Sequence, residues 1–227
     1  MKRGIFLVSL LFVLLLSSCV EMSPSAVSGA RGLIDCIFEY IPGCSVWDLN
    51  DDEIVNVLDY NYIVYENYGD NFDIPEYSPS RGDILMSIDN VNADDGTLDI
   101  VMDLSNGEPI YGFQFMLTGM TVDDARDGLA TDAGYMMFAQ DNKVMGISFL
   151  GTAIDQSGVL AIIDFSDYNG DDSICFGLGT DENNDGWDDN NVLANSSGFA
   201  ISVSWGDCYC PTEIDECDIC GGDSASC

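Results

Sequence analysis

The chain has 227 residues, with 40 acidic side chains against six basic ones, no histidine and a formal net charge of −34 at pH 7. A chain so short of Lys and Arg has no basic patch to meet phosphate, which excludes nucleic-acid binding of any ordinary kind and makes divalent cations the natural ionic partners. A content of 47% hydrophobic and 11% aromatic residues excludes a disordered acidic tail and supplies one sizeable core with a small satellite.

Lys2 and Arg3 precede an apolar run from Gly4 to Leu16, which is followed by Ser17, Ser18 and Cys19. A positive start, a short apolar stretch and small residues before a cleavage point read as an export signal over 1–18. The run is too short to span a hydrocarbon core of about 30 Å comfortably. Its ending, Leu16-Ser17-Ser18-Cys19, resembles the bacterial lipoprotein signal. That resemblance implies cleavage before Cys19, lipidation of Cys19 and anchoring at the cell surface or outer membrane. The other reading is an ordinary signal peptide with a cysteine nearby. Cleavage there removes Lys2 and Arg3 and leaves four basic residues against 40 acidic ones. The remaining cysteines are Cys36, Cys44, Cys175, Cys208, Cys210, Cys217, Cys220 and Cys227. An even number in an exported chain fits four disulfides, and Cys36 and Cys44 are near enough in sequence to pair. Zinc at Cys217-x-x-Cys220 is the competing reading. The lack of histidine and an oxidising compartment weigh against it.

Residues 19–45 read as a tether and lead-in. The first part is a loose mixture of Ser, Ala, Gly and Pro. The second carries a short helix or lead-in and ends at the turn signal Pro42-Gly43. The unit at 46–70 follows. Asp48, Asn50, Asp52, Asn56 and Asp59 fall at positions one, three, five, nine and twelve of a twelve-residue loop. Ile54, at seven, would offer its carbonyl, and Val55, at eight, is apolar. That is the ligand schedule of an EF-hand-type calcium loop, which wraps six to eight oxygens around the ion at about 2.3–2.6 Å. Val57 to Tyr68 holds no Gly or Pro, and Tyr60, Ile63, Val64 and Asn67 share one helical face, so the loop runs into a helix that stops near Gly69.

The stretch from Trp47 to Asp59 resembles the calcium-binding repeat of dockerin domains. The resemblance implies that Asp48, Asn50, Asp52, the Ile54 carbonyl, Asn56 (through water) and Asp59 hold Ca²⁺. It also places Val57 and Leu58, at positions ten and eleven, at the contact with a partner. Two departures stand out. Position six is Glu53, where such loops prefer glycine for a sharp turn, so strain or weaker affinity is expected there. One repeat is evident where dockerins usually carry two.

Pro75, Pro79 and Gly82 mark a linker at 71–82. From residue 83 the apolar period is two. Leu98, Ile100, Met102 and Leu104 alternate with their neighbours, as do Tyr111, Phe113, Phe115 and Leu117, and Phe199, Ile201, Val203 and Trp205. Shorter candidates lie at 83–89, 133–139, 143–150, 158–166 and 172–178. Eight short strands predict a mainly β fold, an antiparallel jelly-roll-like β-sandwich over 83–206. The aromatics at 111–117 are expected in its core, with a sugar-stacking platform as the sharper alternative.

Leu104 to Phe115, Gly146 to Thr152 and Gly158 to Ile162 resemble cohesin-type domains, whose sandwich is shared with carbohydrate-binding modules. A second acidic run, Asp181, Asn183, Asp185, Gly186 and Asp189, resembles the loops of thrombospondin type 3 repeats. It lacks the closing acid, since position twelve is Val192, and a solvated insertion explains it equally well. Residues 207–227 form a Cys-rich tail held by bridges. These readings converge on a surface-anchored, Ca²⁺-binding interaction module. Its partner would be a cohesin- or dockerin-bearing protein, within a polysaccharide-binding or polysaccharide-degrading assembly. The alternative is a carbohydrate-binding lipoprotein with calcium purely structural. A cohesin-like and a dockerin-like unit on one chain could also bind each other. No catalytic residues are expected: histidine is absent, and no Gly-x-Ser-x-Gly or Ser/Lys nucleophile pattern is present.

Overall fold

The computed structural model describes residues 32–38, 44–49, 53–68, 84–105, 108–148, 151–170, 172–177, 190–212 and 220, with the backbone alone for 63–68. In chain order, helix α1 (32–38) leads to a 3-10 turn at Cys44–Trp47 and then to helix α2 (Val57–Tyr68). Strands β1 (Ile84–Asn92), β2 (Thr97–Asp103), β3 (Gly112–Thr118) and β4 (Thr121–Arg126) follow, then the short helix α3 (Gly128–Asp132). The chain continues through β5 (Met136–Gln140), β6 (Lys143–Ile147), β7 (Gly158–Ser166), β8 (Cys175–Phe176), β9 (Val192–Ala194), β10 (Ala200–Ile201) and β11 (Val203–Trp205).

Two sheets make the sandwich. The first has the order β11-β1-β2-β7-β4; the second has the order β10-β9-β3-β6-β5, with β8 also paired to β3. All pairings are antiparallel except β1 with β11, where Ile84, Leu85 and Met86 run parallel to Val203, Ser204 and Trp205. The parallel pair arises because the alternation from Phe199 to Trp205 belongs to both sheets. Its first half pairs with β9 and its second half crosses to β1.

The main core lies between the sheets. Leu98, Ile100 and Met102 of β2 meet Phe113, Phe115 and Leu117 of β3, all of them fully buried. The Phe113 and Phe115 rings lie 5.9 Å apart, and Phe115 meets Phe176 edge-on at 5.8 Å. Phe113 lies over Gly146, its register partner on β6, where a Cβ would stand 2.2 Å from the ring. These aromatics therefore pack between sheets, as the period of two predicts. They do not form an exposed sugar platform. On the solvent face, Arg126 of β4 reaches Asp164 of β7 with two hydrogen bonds of 2.8 and 2.9 Å.

The described part of the tail is attached to the sandwich. Cys208 is bonded to Cys175 of β8, Tyr209 pairs with Ile174, and the Gly206 N–H donates to the Met86 carbonyl at 2.7 Å. Cys210 is bonded to Cys220, which removes Cys220 from any zinc reading. Cys217 and Cys227 lie outside the described residues, as do the signal at 1–18, Cys19 and the linker at 71–82.

Tyr135 fixes the end of the core between α3 and β5. Its hydroxyl lies 3.0 Å from the Ile110 carbonyl and 2.9 Å from the Thr152 carbonyl, so one proton serves two backbone acceptors. Burial, with a smaller contribution from Tyr111, raises its pKa well above the ordinary tyrosine value of 10.0. Tyr135→Phe should therefore destabilise the fold by about 1–2 kcal/mol at neutral pH. A group whose folded pKa is raised gives stability that is complete below its unfolded pKa and is lost above it. Urea unfolding of both proteins should show the gap closing from about pH 10 upward, by roughly 1.4 kcal/mol per pH unit. A gap unchanged at pH 11 would exclude this account.

Candidate metal centre and the interface behind it

Two carboxylates organise the described part of the loop at 48–59. Asp59 is completely buried in the first turn of α2. Its Oδ1 accepts the Leu49 N–H at 2.6 Å, and its Oδ2 accepts the Asn56 N–H at 2.9 Å. One side chain thus ties positions two, nine and twelve together. The Asn56 amide oxygen in turn accepts the Leu58 N–H at 2.7 Å. Asn56 caps the Leu58 N–H and Asp59 reaches back to the Asn56 N–H, so the two side chains start α2 at Val57, with a negative charge at the positive end of the helix. The Asn-x-x-Asp spacing that fits a metal schedule at positions nine and twelve is thus also a helix-start signal.

Asp48, at position one, accepts the Glu53 N–H at 3.1 Å and closes the first half of the loop. Glu53, at position six, has φ of 73°. Six non-glycine residues have positive φ among the described residues, and five of them are Asn or Asp, which tolerate that region through local hydrogen bonds. Glu53 is the exception. Its exposed side chain does nothing to favour this backbone, so the loop closures around it impose the turn that a glycine normally makes. The strain expected from the sequence is present at the expected residue.

The donor set is compatible with a hard cation. A carboxylate offers about four lone-pair sites, so one Asp side chain can accept N–H groups and also serve a cation. Ile54 is half-buried, and Val55 packs into the core beneath the loop. Asn50 and Asp52 lie outside the described residues. Among the described residues no group of three or more His, Cys, Asp or Glu side chains comes together. The second acidic run, Asp181, Asn183, Asp185 and Asp189, also lies outside them. Described residues that flank it are joined: the Asn191 amide donates to the Gly177 carbonyl at 3.0 Å and accepts the Met116 N–H at 2.8 Å.

Behind the loop lies a second core. Leu33 and Ile37 of α1 and Val57, Leu58 and Tyr60 of α2 are buried against Met145, Ile147, Val192, Ala194 and Ala200 of the second sheet. Phe38 meets Phe138 with ring centres 6.2 Å apart. Gly112 of β3 allows the close approach of α2, because a Cβ there would stand 2.4 Å from the Asn61 amide nitrogen. The Lys143 ammonium donates to the Ile37 carbonyl at 3.2 Å, at the negative end of α1, and burial lowers its pKa. Val57 and Leu58, expected at a partner surface, are therefore corrected to intramolecular contacts. Their apolar side chains fill the gap between α2 and the sheet. The side chains of Ile63, Val64 and Asn67 lie outside the described residues.

No family model matches the chain, and no curated protein matches its sequence. Three solved cohesin structures are similar to it. One is a chain of a type I cohesin–dockerin complex from Clostridium thermocellum, at 14% identity and a TM-score of 0.38, covering 57% of this chain and 92% of that one. Another is a non-cellulosomal cohesin from Archaeoglobus fulgidus, at 13% identity and 0.36, covering 54% and 85%. The third is a type III cohesin module of a cell-surface anchoring scaffoldin from Ruminococcus flavefaciens, at 14% identity and 0.34, covering 55% and 80%.

Proposed function

We propose that this chain is an exported, non-catalytic protein-interaction module, anchored through Cys19, whose loop at 48–59 binds one Ca²⁺. The ligands are Asp48, Asn50, Asp52, the Ile54 carbonyl, Asn56 and Asp59. The observation that carries this reading is Glu53, a non-glycine residue held at φ of 73° where a calcium loop must turn, between closures made by Asp48 and Asp59. The three described disulfides fit an oxidising compartment. The sequence resemblance to cohesins and dockerins supplies the partner class, a protein in a polysaccharide-degrading assembly. Burial of Phe113 and Phe115 removes the sugar platform and weakens the carbohydrate-binding alternative. Asp181, Asn183, Asp185 and Asp189 remain a proposed second calcium site.

Calcium acts here as a structural clamp. The ion offsets repulsion among acids gathered in one short loop and orders the loop that starts α2. Because α2 lies on the second sheet, fixing the loop fixes the cover over Met145, Ile147 and Val192. Titration calorimetry should give calcium binding to the wild-type chain, weakened at least about tenfold in Asp48→Ala and Asp59→Ala. Unchanged affinity in both variants would refute the loop assignment. Chelation should loosen the cover and raise the fluorescence of an apolar dye in the wild type, reversibly on adding calcium back. Glu53→Gly should relieve roughly 1 kcal/mol of backbone strain and tighten calcium about fivefold. Glu53→Ala removes the same charge and keeps the strain, and loss of a negative charge does not favour a cation, so equal tightening by both variants would exclude strain relief as the cause.

A further inference from the structure

We infer that the Cys36–Cys44 disulfide and calcium in the 48–59 loop are thermodynamically coupled, so that each stabilises the other. The inference rests on the calcium reading above and adds a redox dependence to that site. The bond joins α1 to the first residue of the 3-10 turn, with Cα atoms 5.6 Å apart. Cys36 is only 3% exposed, flanked by Leu33 and Ile37 in the second core. The half of the bond on α1 is therefore held by core packing. The other half fixes the turn, which ends at Trp47, and the next residue is Asp48 at loop position one. The Trp47 indole lies across α1 at Gly32. One residue beyond Asp48, the Leu49 N–H is held by Asp59 at position twelve. A short, continuous path thus links the sulfur atoms to the first and last acids of the loop.

With the disulfide closed, the entry to the loop is already ordered when calcium arrives. With it open, packing alone holds the turn against α1, and the entropy of ordering Asp48 falls on the binding step. Coupling is reciprocal: whatever factor the bond contributes to calcium affinity, calcium must contribute to the closed state of the bond.

The test uses the oxidised full chain and calcium alone. Cys36→Ser/Cys44→Ser should raise the calcium Kd about tenfold, within the usual range of coupling between sites. In the wild type, dithiothreitol converts the bond to two thiols and itself becomes a cyclic disulfide. Alkylation and mass spectrometry give the equilibrium fraction of Cys36 and Cys44 reduced. Calcium should shift that equilibrium toward the disulfide by the same factor, and Asp48→Asn should abolish the shift. The reduction experiment decides the matter even if the double variant fails to fold. Wild-type protein that binds calcium through Asp48, yet shows the same reduction equilibrium with and without it, overturns the coupling and leaves the calcium site standing. Wild-type protein with no Asp48-dependent calcium binding overturns both.

Discussion

The second sheet is apolar on both faces, and one face therefore needs a cover other than the first sheet. In β6, Val144 and Met145 point to opposite sides and both are completely buried; in β9, Val192, Leu193 and Ala194 are all buried. Antiparallel sheets commonly leave one side to solvent and alternate apolar with polar residues. These strands do not, because α1 and α2 lie on the outer side. Removing that cover from a chain of net charge −34 would expose Met145, Ile147, Val192 and Ala194 as one apolar patch. The position of the N-terminal unit is thus a condition of the sandwich, and the sandwich is a condition of the unit, whose Leu33, Ile37 and Val57 have no other described core to enter.

Asp59 joins this packing to the loop chemistry. Its carboxylate helps to start α2 by holding the Asn56 N–H and closes the loop by holding Leu49. Those two tasks are needed with or without a metal, since a buried N–H left unpaired costs about 1–3 kcal/mol. A carboxylate completely out of solvent is itself expensive unless hydrogen bonds or a cation compensate it. The two N–H groups provide part of that compensation, and a divalent ion would provide charge. Val55 and Val57, on either side of Asn56, anchor the same segment in the second core, so loop order and helix docking cannot vary independently.

Much of this was legible in the sequence because the signals were local. The helix from Val57 to Tyr68, the pairing of Cys36 with Cys44 and the three runs of period two all depend on near neighbours. What stayed hidden depends on distant ones. Strand β4 was missed because a register shift between Val122 and Asp124 breaks its alternation with two consecutive aspartates. Strand β9 was missed because a segment covered on both faces has no alternation to read. The run ending at Trp205 looked like one strand, since nothing in a period of two says which sheet accepts each half. Val57 and Leu58 were placed at a partner surface for a related reason. Two exposed apolar residues beside a loop and two residues docked on the chain's own sheet have the same sequence.

That last point bears on how calcium could matter to function. In a free loop and helix, the ion would organise a surface for another molecule. Here the apolar start of α2 is already occupied by β3, β6 and β9, and the Lys143 ammonium ties α1 to the same sheet at Ile37. Loop order therefore acts on the stability and exposure of the second sheet before it acts on any partner. Any contact made through that sheet would have to displace α1 and α2 together, and would be opposed by the buried apolar area and by the Lys143 hydrogen bond to Ile37. The surfaces open to a partner without such competition are those the unit leaves uncovered, including the solvent face of the first sheet. On that face Arg126 is already engaged by Asp164 and Asp127, so its positive charge is neutralised within the fold.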